Sequence, residues 1–124
     1  MAKSPQPPES VSALQLQCAQ MRIRDGLPPS MPAKVRTHHF GVYTIIRMLR
    51  ATGQAATTKS LSDLTGIYAS HIAKICKNLT RLGLIHRTVI VASHGKGHLH
   101  NYEPETDLQH LTWLTQQPPI VLPD

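Results

Sequence analysis

Residues 69–82, "ASHIAKICKNLTRL", carry six side chains able to hold an anion or exchange hydrogen bonds: Ser70, His71, Lys74, Lys77, Asn78 and Arg81. At 100° per residue these six fall on one side of a helix, opposite an apolar stripe of Ile72, Ile75, Cys76, Leu79 and Leu82. Lysine and arginine neutralise phosphates, while serine, asparagine, histidine and arginine reach base edges. The chemistry encoded is recognition of a polyanion by a helix face. Lys59 before this segment, and Arg87 and Lys96 after it, extend the same set.

Other chemistries find less support. The chain has eight histidines. His94, His98 and His100 lie close together, and His98 and His100 share a face of an extended strand, so they are the candidates for a metal site, with His86 across a hairpin. No carboxylate or thiolate completes such a set, and no metal or other cofactor is expected. His38 and His39 read as capping or surface groups. The two cysteines, Cys18 and Cys76, are 58 positions apart without CxxC spacing, which argues against a disulfide framework or a thiolate zinc site. Cys76 reads as a small buried apolar group. Asp63 is the only acidic residue between positions 26 and 102, and no nucleophile elbow, phosphate loop or HExxH occurs, so an enzyme is not expected.

Charge has the same bearing. Thirteen Lys and Arg against seven Asp and Glu give +6 and a pI near 9.8. Residues 37–103 hold eight basic and two acidic side chains, whereas residues 104–124 hold three acidic and no Lys or Arg. A positive field in the middle of the chain suits nucleic acid or an acidic membrane surface. No apolar run approaches the roughly 20 residues that span a bilayer, and no secretory signal is visible at the N-terminus, so a cytoplasmic setting without membrane insertion is expected.

The elements that position these residues are bounded by prolines. Six of the ten precede residue 36 and none lies between residues 33 and 103. This divides the chain into a Pro-rich arm over 1–36, a structured unit over 37–105, and a helix with a Pro-containing tail over 106–124. In the arm, Val11, Leu14, Cys18 and Met21 predict a helix over 9–24, capped by Ser10, followed by an extended "GLPPSMPAK" connector. In the unit, "FGVYTIIRMLRATG" predicts a helix burying Val42, Ile45, Ile46 and Leu49 and stopping at Gly53. "QAATT" is a loop. Thr58 caps a short helix over Lys59–Thr65 with Leu61 and Leu64 inward, and its first amides offer a phosphate site. After Gly66 comes the helix over 69–82, ended by Gly83. "LIHRTVIVA" and "HLHNYEPE" make a hairpin around "SHGKG". Thr106 with Gln109 fits a capping box for a last helix through Gln116 that presents Leu108, Leu111 and Leu114, with Trp113 as a packing or dimer-contact residue. The fold class is mainly α with a small β-hairpin, α+β.

The stretch "TTKSLSDLTGIYASHIAKICKNLTRLGLIHR" resembles the winged helix–turn–helix of bacterial regulators, the MarR-like and ArsR-like groups among them. Leu61, Leu64, Gly66, Ile72, Ile75, Leu79, Gly83, Leu84 and Ile85 occupy positions that the pattern expects, and "RLGLIHR" followed by a hairpin is its most specific part. The resemblance covers roughly residues 38–105. It implies a three-helix core plus wing, with 69–82 as recognition helix and 87–100 as wing. Lys59, Ser70, His71, Lys74, Lys77, Asn78, Arg81, Arg87 and Lys96 become the DNA-contacting residues. The implied function is sequence-specific binding of double-stranded DNA by a homodimeric transcriptional regulator. Without long flanking helices or clustered cysteines, no small-molecule effector or metal sensing is implied. The alternative on the same fold is a protein–protein module, or a replication or partition accessory factor, within a larger assembly.

Overall fold

A computed structural model describes residues 9–91, 98–118 and 120–123. It is mainly helical with one small antiparallel sheet: α1 (Glu9–Gly26), α2 (Ala33–Ala51), α3 (Thr58–Thr65), α4 (Ala69–Arg81), β1 (Ile85–Val91), β2 (His98–Pro104) and α5 (Leu108–Gln116). None of the described helices is long and apolar enough to cross a membrane.

The first helix forms where its spacing predicts, but it buries a different face. Gln15, Ala19 and Ile23 point into the core, while Leu14 and Met21 remain 48% and 39% exposed. The inward face includes two small residues, Ala19 and Gly26, both buried. Gly26 lies so close to the end of α4 that a Cβ there would stand 2.3 Å from a Leu82 methyl carbon. Gln15 can turn inward because its amide is satisfied: Nε2 donates to the Thr106 carbonyl at 2.5 Å, and Oε1 accepts from Arg47 at 3.3 Å. Ser10 lies within the helix and is not its cap. The following segment is a turn and not an extended connector, closed by Met31 N–H to the Pro28 carbonyl at 3.0 Å.

The second helix starts at Ala33, directly after Pro32, and buries His39, Val42, Tyr43, Ile46 and Leu49; Ile45 is half-buried. Its end is as expected, at Thr52 followed by Gly53 with φ +74°. In α3 the cap is Thr57, one residue earlier than the sequence suggests. Its hydroxyl accepts from Ser60 N–H at 3.1 Å while the Ser60 hydroxyl accepts from Thr57 N–H at 2.8 Å. Leu61 is buried, but Leu64 is 55% exposed. An eight-residue helix turns only a narrow stripe inward, and Ile67, beyond the Gly66 turn, packs against the core instead.

The helix α4 carries the apolar stripe as expected, with Ile72, Ile75, Cys76 and Leu79 buried. It closes in a Schellman turn: Gly83 N–H bonds the Thr80 carbonyl at 3.0 Å and Leu84 N–H bonds the Leu79 carbonyl at 3.1 Å, with Gly83 at φ +80°. That turn delivers the buried Leu84 and Ile85 into β1, which pairs with β2 from Ile85↔Pro104 to Val91↔His98. The loop before α3 joins the sheet as well. Thr57 bridges Asn101, Tyr102 N–H donates to the Ala56 carbonyl at 2.9 Å, and Ala56 N–H donates to the Asn101 side chain at 2.9 Å.

The last helix is capped by Asp107, whose carboxylate accepts from Gln109 and His110 N–H, and not by Thr106. It packs along α1 with Leu111 buried. Arg22 of α1 reaches the Leu82 carbonyl at 2.5 Å and the Leu114 carbonyl at 3.4 Å, tying the ends of α4 and α5 together. Leu122 folds back through N–H to the Gly26 carbonyl at 2.8 Å. Residues from α1, α2, α4, α5 and the hairpin base share one apolar core.

Candidate nucleic-acid interface

Burial of Ile72, Ile75, Cys76 and Leu79 fixes the rotation of α4 about its axis, so the opposite side has to face outward. Ser70, Lys74, Lys77 and Arg81 are exposed on that side, spaced 4, 3 and 4 residues apart. The three ion pairs among the described residues are Arg24–Asp25, Arg50–Glu103 and His86–Glu105, and none involves this row. The helix also has no acidic residue in its first turn. Three fixed positive charges thus stand along about two turns of helix without a partner carboxylate among the described residues.

The other two of the six predicted positions on α4 sit at the edge that faces α2, and both are half-buried. His71 meets His38 edge-on, with ring centroids 5.9 Å apart. Asn78 Nδ2 lies 3.1 Å from His39 Nε2. His39 itself is 1% exposed, which corrects its reading as a capping or surface group. Its Nδ1 stands 2.8 Å from the Val35 carbonyl. Burial pushes its pKa below the ordinary value. The bond to Val35 opposes that shift, and the neighbouring His71, His38 and Arg36 reinforce it. The signal that would have placed His39 inside was present, since 39, 42, 46 and 49 fall on one helical face.

Lys59 is exposed at the start of α3. The amides of Ser60 and Leu61 are already taken by the Thr57 hydroxyl and carbonyl, so they offer no phosphate site. Arg87 is exposed on β1, opposite Tyr102 in the pairing. His94 and Lys96 lie outside the described residues, as does the side chain of His98. His100 is exposed, opposite Val89. His86 is at the base of the hairpin, far along the register from His98, and its Nε2 bonds Glu105. Among the described residues no three His, Cys, Asp or Glu side chains are grouped to hold a metal ion.

Two cations of the positive middle segment serve the fold. Arg47 donates to the Ser12 hydroxyl at 2.9 Å and to Gln15, and Arg50 pairs with Glu103 at 3.4 Å. Cys76 is buried, and desolvation pushes its thiol up to about 12, so it behaves as an inert apolar group. Beside α4 an open groove of about 450 Å³ is lined by Lys34, Val35, His38, Ile67, Tyr68 and His71. Among the described residues the buried Nδ1 of His38 has no hydrogen-bond partner.

The chain matches no protein-family model, no curated protein and no solved structure.

Proposed function

We propose that the chain is a winged helix–turn–helix protein that binds double-stranded DNA with sequence specificity, α4 lying in the major groove, and that it acts as a homodimeric transcriptional regulator in the cytoplasm. The observation that carries this reading is the exposed Ser70–Lys74–Lys77–Arg81 row, which has no carboxylate partner among the described residues. A merely solvated helix gains from interspersed acids, whereas a row of one sign suits a polyphosphate. Three features around the row support it: the short α3 and Gly66 turn before it, the hairpin after it, and the Thr57–Asn101 bridge that fastens the α2–α3 loop to that hairpin. Exposed apolar side chains on α1 and α5 (Leu14, Met21 and Trp113) favour a second copy as partner.

Fluorescence anisotropy against a labelled duplex, titrated with salt, tests the reading. Wild type binds with a steep negative dependence of log K on log salt. Lys74→Ala, Lys77→Ala and Arg81→Ala each weaken binding and reduce the slope by roughly 1 for a phosphate contact. Unchanged affinity and slope in all three variants would remove α4 as the interface. Absence of salt-sensitive duplex binding by wild type would leave the protein–protein module as the better reading.

A further inference from the structure

We infer that His39, a buried residue of α2, locks the amide of Asn78 so that α4 offers a hydrogen-bond acceptor at that position, which selects a base edge carrying a donor. The inference rests on the DNA-binding reading above and makes Asn78 a specificity residue, with His39 as the positioning residue behind it.

The hydrogens available to the two side chains fix the orientation of the amide. The Val35 carbonyl can only accept, so the Nδ1 that faces it at 2.8 Å must carry a hydrogen. A ring 1% exposed, beside His38, His71 and Arg36, stays neutral in ordinary buffer. A neutral ring protonated on Nδ1 has a lone pair on Nε2. That lone pair needs a donor, and the group 3.1 Å away is the Nδ2 of Asn78. The amide orientation is thereby dictated: nitrogen toward α2, oxygen away from it. Among the described residues no donor meets Asn78 Oδ1, and the only fully buried side-chain nitrogen or oxygen without a partner is His38 Nδ1, so Oδ1 of the half-buried Asn78 keeps some access to solvent. It does so on the helix that bears Lys74, Lys77 and Arg81.

The consequence for base readout follows from the groove edges. In the major groove adenine presents N6–H and cytosine N4–H as donors, while guanine and thymine oxygens are acceptors. An outward oxygen fits the first two and is repelled by the last two. The second amide hydrogen remains available, and adenine, which offers N7 beside N6–H, uses both. Adenine is therefore the preferred base and cytosine the second.

Two measurements on the full chain test this. Long-range 1H–15N correlation spectra at pH 7.5 should show His39 with its hydrogen on Nδ1; a hydrogen on Nε2 overturns the lock. A randomised-duplex selection with wild type and Asn78→Ala should then reveal one base pair where wild type prefers adenine, or failing that cytosine. There the variant loses about fivefold or more of the discrimination. His39→Phe should relax the same position at an unchanged salt slope, which a purely structural role for His39 would not do. Should His39→Phe not fold, the tautomer and the Asn78→Ala profile still decide. Loss of a guanine or thymine preference, or a profile identical to wild type, overturns this inference and leaves DNA binding standing. A chain that binds no duplex at all overturns both.

Discussion

His39 costs the fold something that depends on pH. Its ring is buried and neutral, with burial as the main cause of a pKa below the ordinary histidine value of about 6.5. An unfolded chain takes up a proton near that ordinary value, and the folded chain takes it up only at lower pH. Between the two values the unfolded state binds more protons, so acidification favours unfolding. The stability tied to a neutral His39 is fully present above about pH 6.5 and is lost as pH falls through the lower folded value. Urea midpoints measured from pH 7.5 down to 5 should therefore fall more steeply for wild type than for His39→Phe. Parallel curves would mean that His39 is not the group being titrated. Acid also removes the geometry of the Asn78 contact, because a ring with hydrogens on both nitrogens has no acceptor for Nδ2–H. Stability and amide orientation thus depend on the same proton.

Helix ends set how accurately α4 is aimed. Gly83 holds φ +80° in the Schellman turn, and a Cβ there would meet a Leu114 methyl at 3.1 Å, whereas a Cβ at Gly53, φ +74°, would meet nothing within 4 Å among the described residues. Both glycines avoid the left-handed penalty of roughly 1–2 kcal/mol for a residue with a Cβ. Gly53→Ala should cost about 1 kcal/mol in urea unfolding. Gly83→Ala should cost more, because Leu114 of α5 must also move; equal losses would show that α5 does not press on the turn. These glycine stops were legible in the sequence, as was the apolar stripe of α4, since both are local signals. What escaped depends on partners distant in the chain. The inward face of α1 passes through Gln15, which is tolerable only because Thr106 and Arg47 satisfy it. The Thr57–Asn101 bridge joins a loop that carries no strand pattern of its own. The caps of α3 and α5 each sit one residue from the sequence expectation: Thr57 and Thr58 are the same residue type, and at α5 the stronger cap, Asp107, takes the place expected for Thr106. At the candidate site the free cations were legible by helical spacing. The diversion of His71 and Asn78 toward α2 was not, because it requires knowing which residues of α2 lie opposite.

At the scale of the molecule, structural and free cations separate. Arg22 and Arg36 hold backbone carbonyls, and Arg47 and Arg50 join helix to helix and helix to sheet. Much of the charge left over stands on α4, α3 and β1, in Lys74, Lys77, Arg81, Lys59 and Arg87. On α1 the exposed Met21 forms a ridge between two grooves, one shared with Phe40 and Arg24, the other with Leu114 and Ile120. Ile120 is 63% exposed and Leu14, two turns along α1, is 48% exposed. Apolar side chains of this size in water are stabilised by burial against a like surface, at about 25 cal/mol per Å². A two-fold axis through such a face would pair two copies, each with its own α4, and let both engage one duplex. The second engagement is then intramolecular and strengthens binding by about 10²-fold or more over a single copy. Sedimentation equilibrium should show a dimer at tens of micromolar (roughly the range for a modest interface), and Met21→Glu should shift it to monomer without changing the far-UV spectrum. The same variant should bind a single half-site as wild type does, yet lose the gain on a two-half-site duplex. A monomeric wild type, both free and on DNA, would remove the homodimer and leave each copy to read its site through one α4.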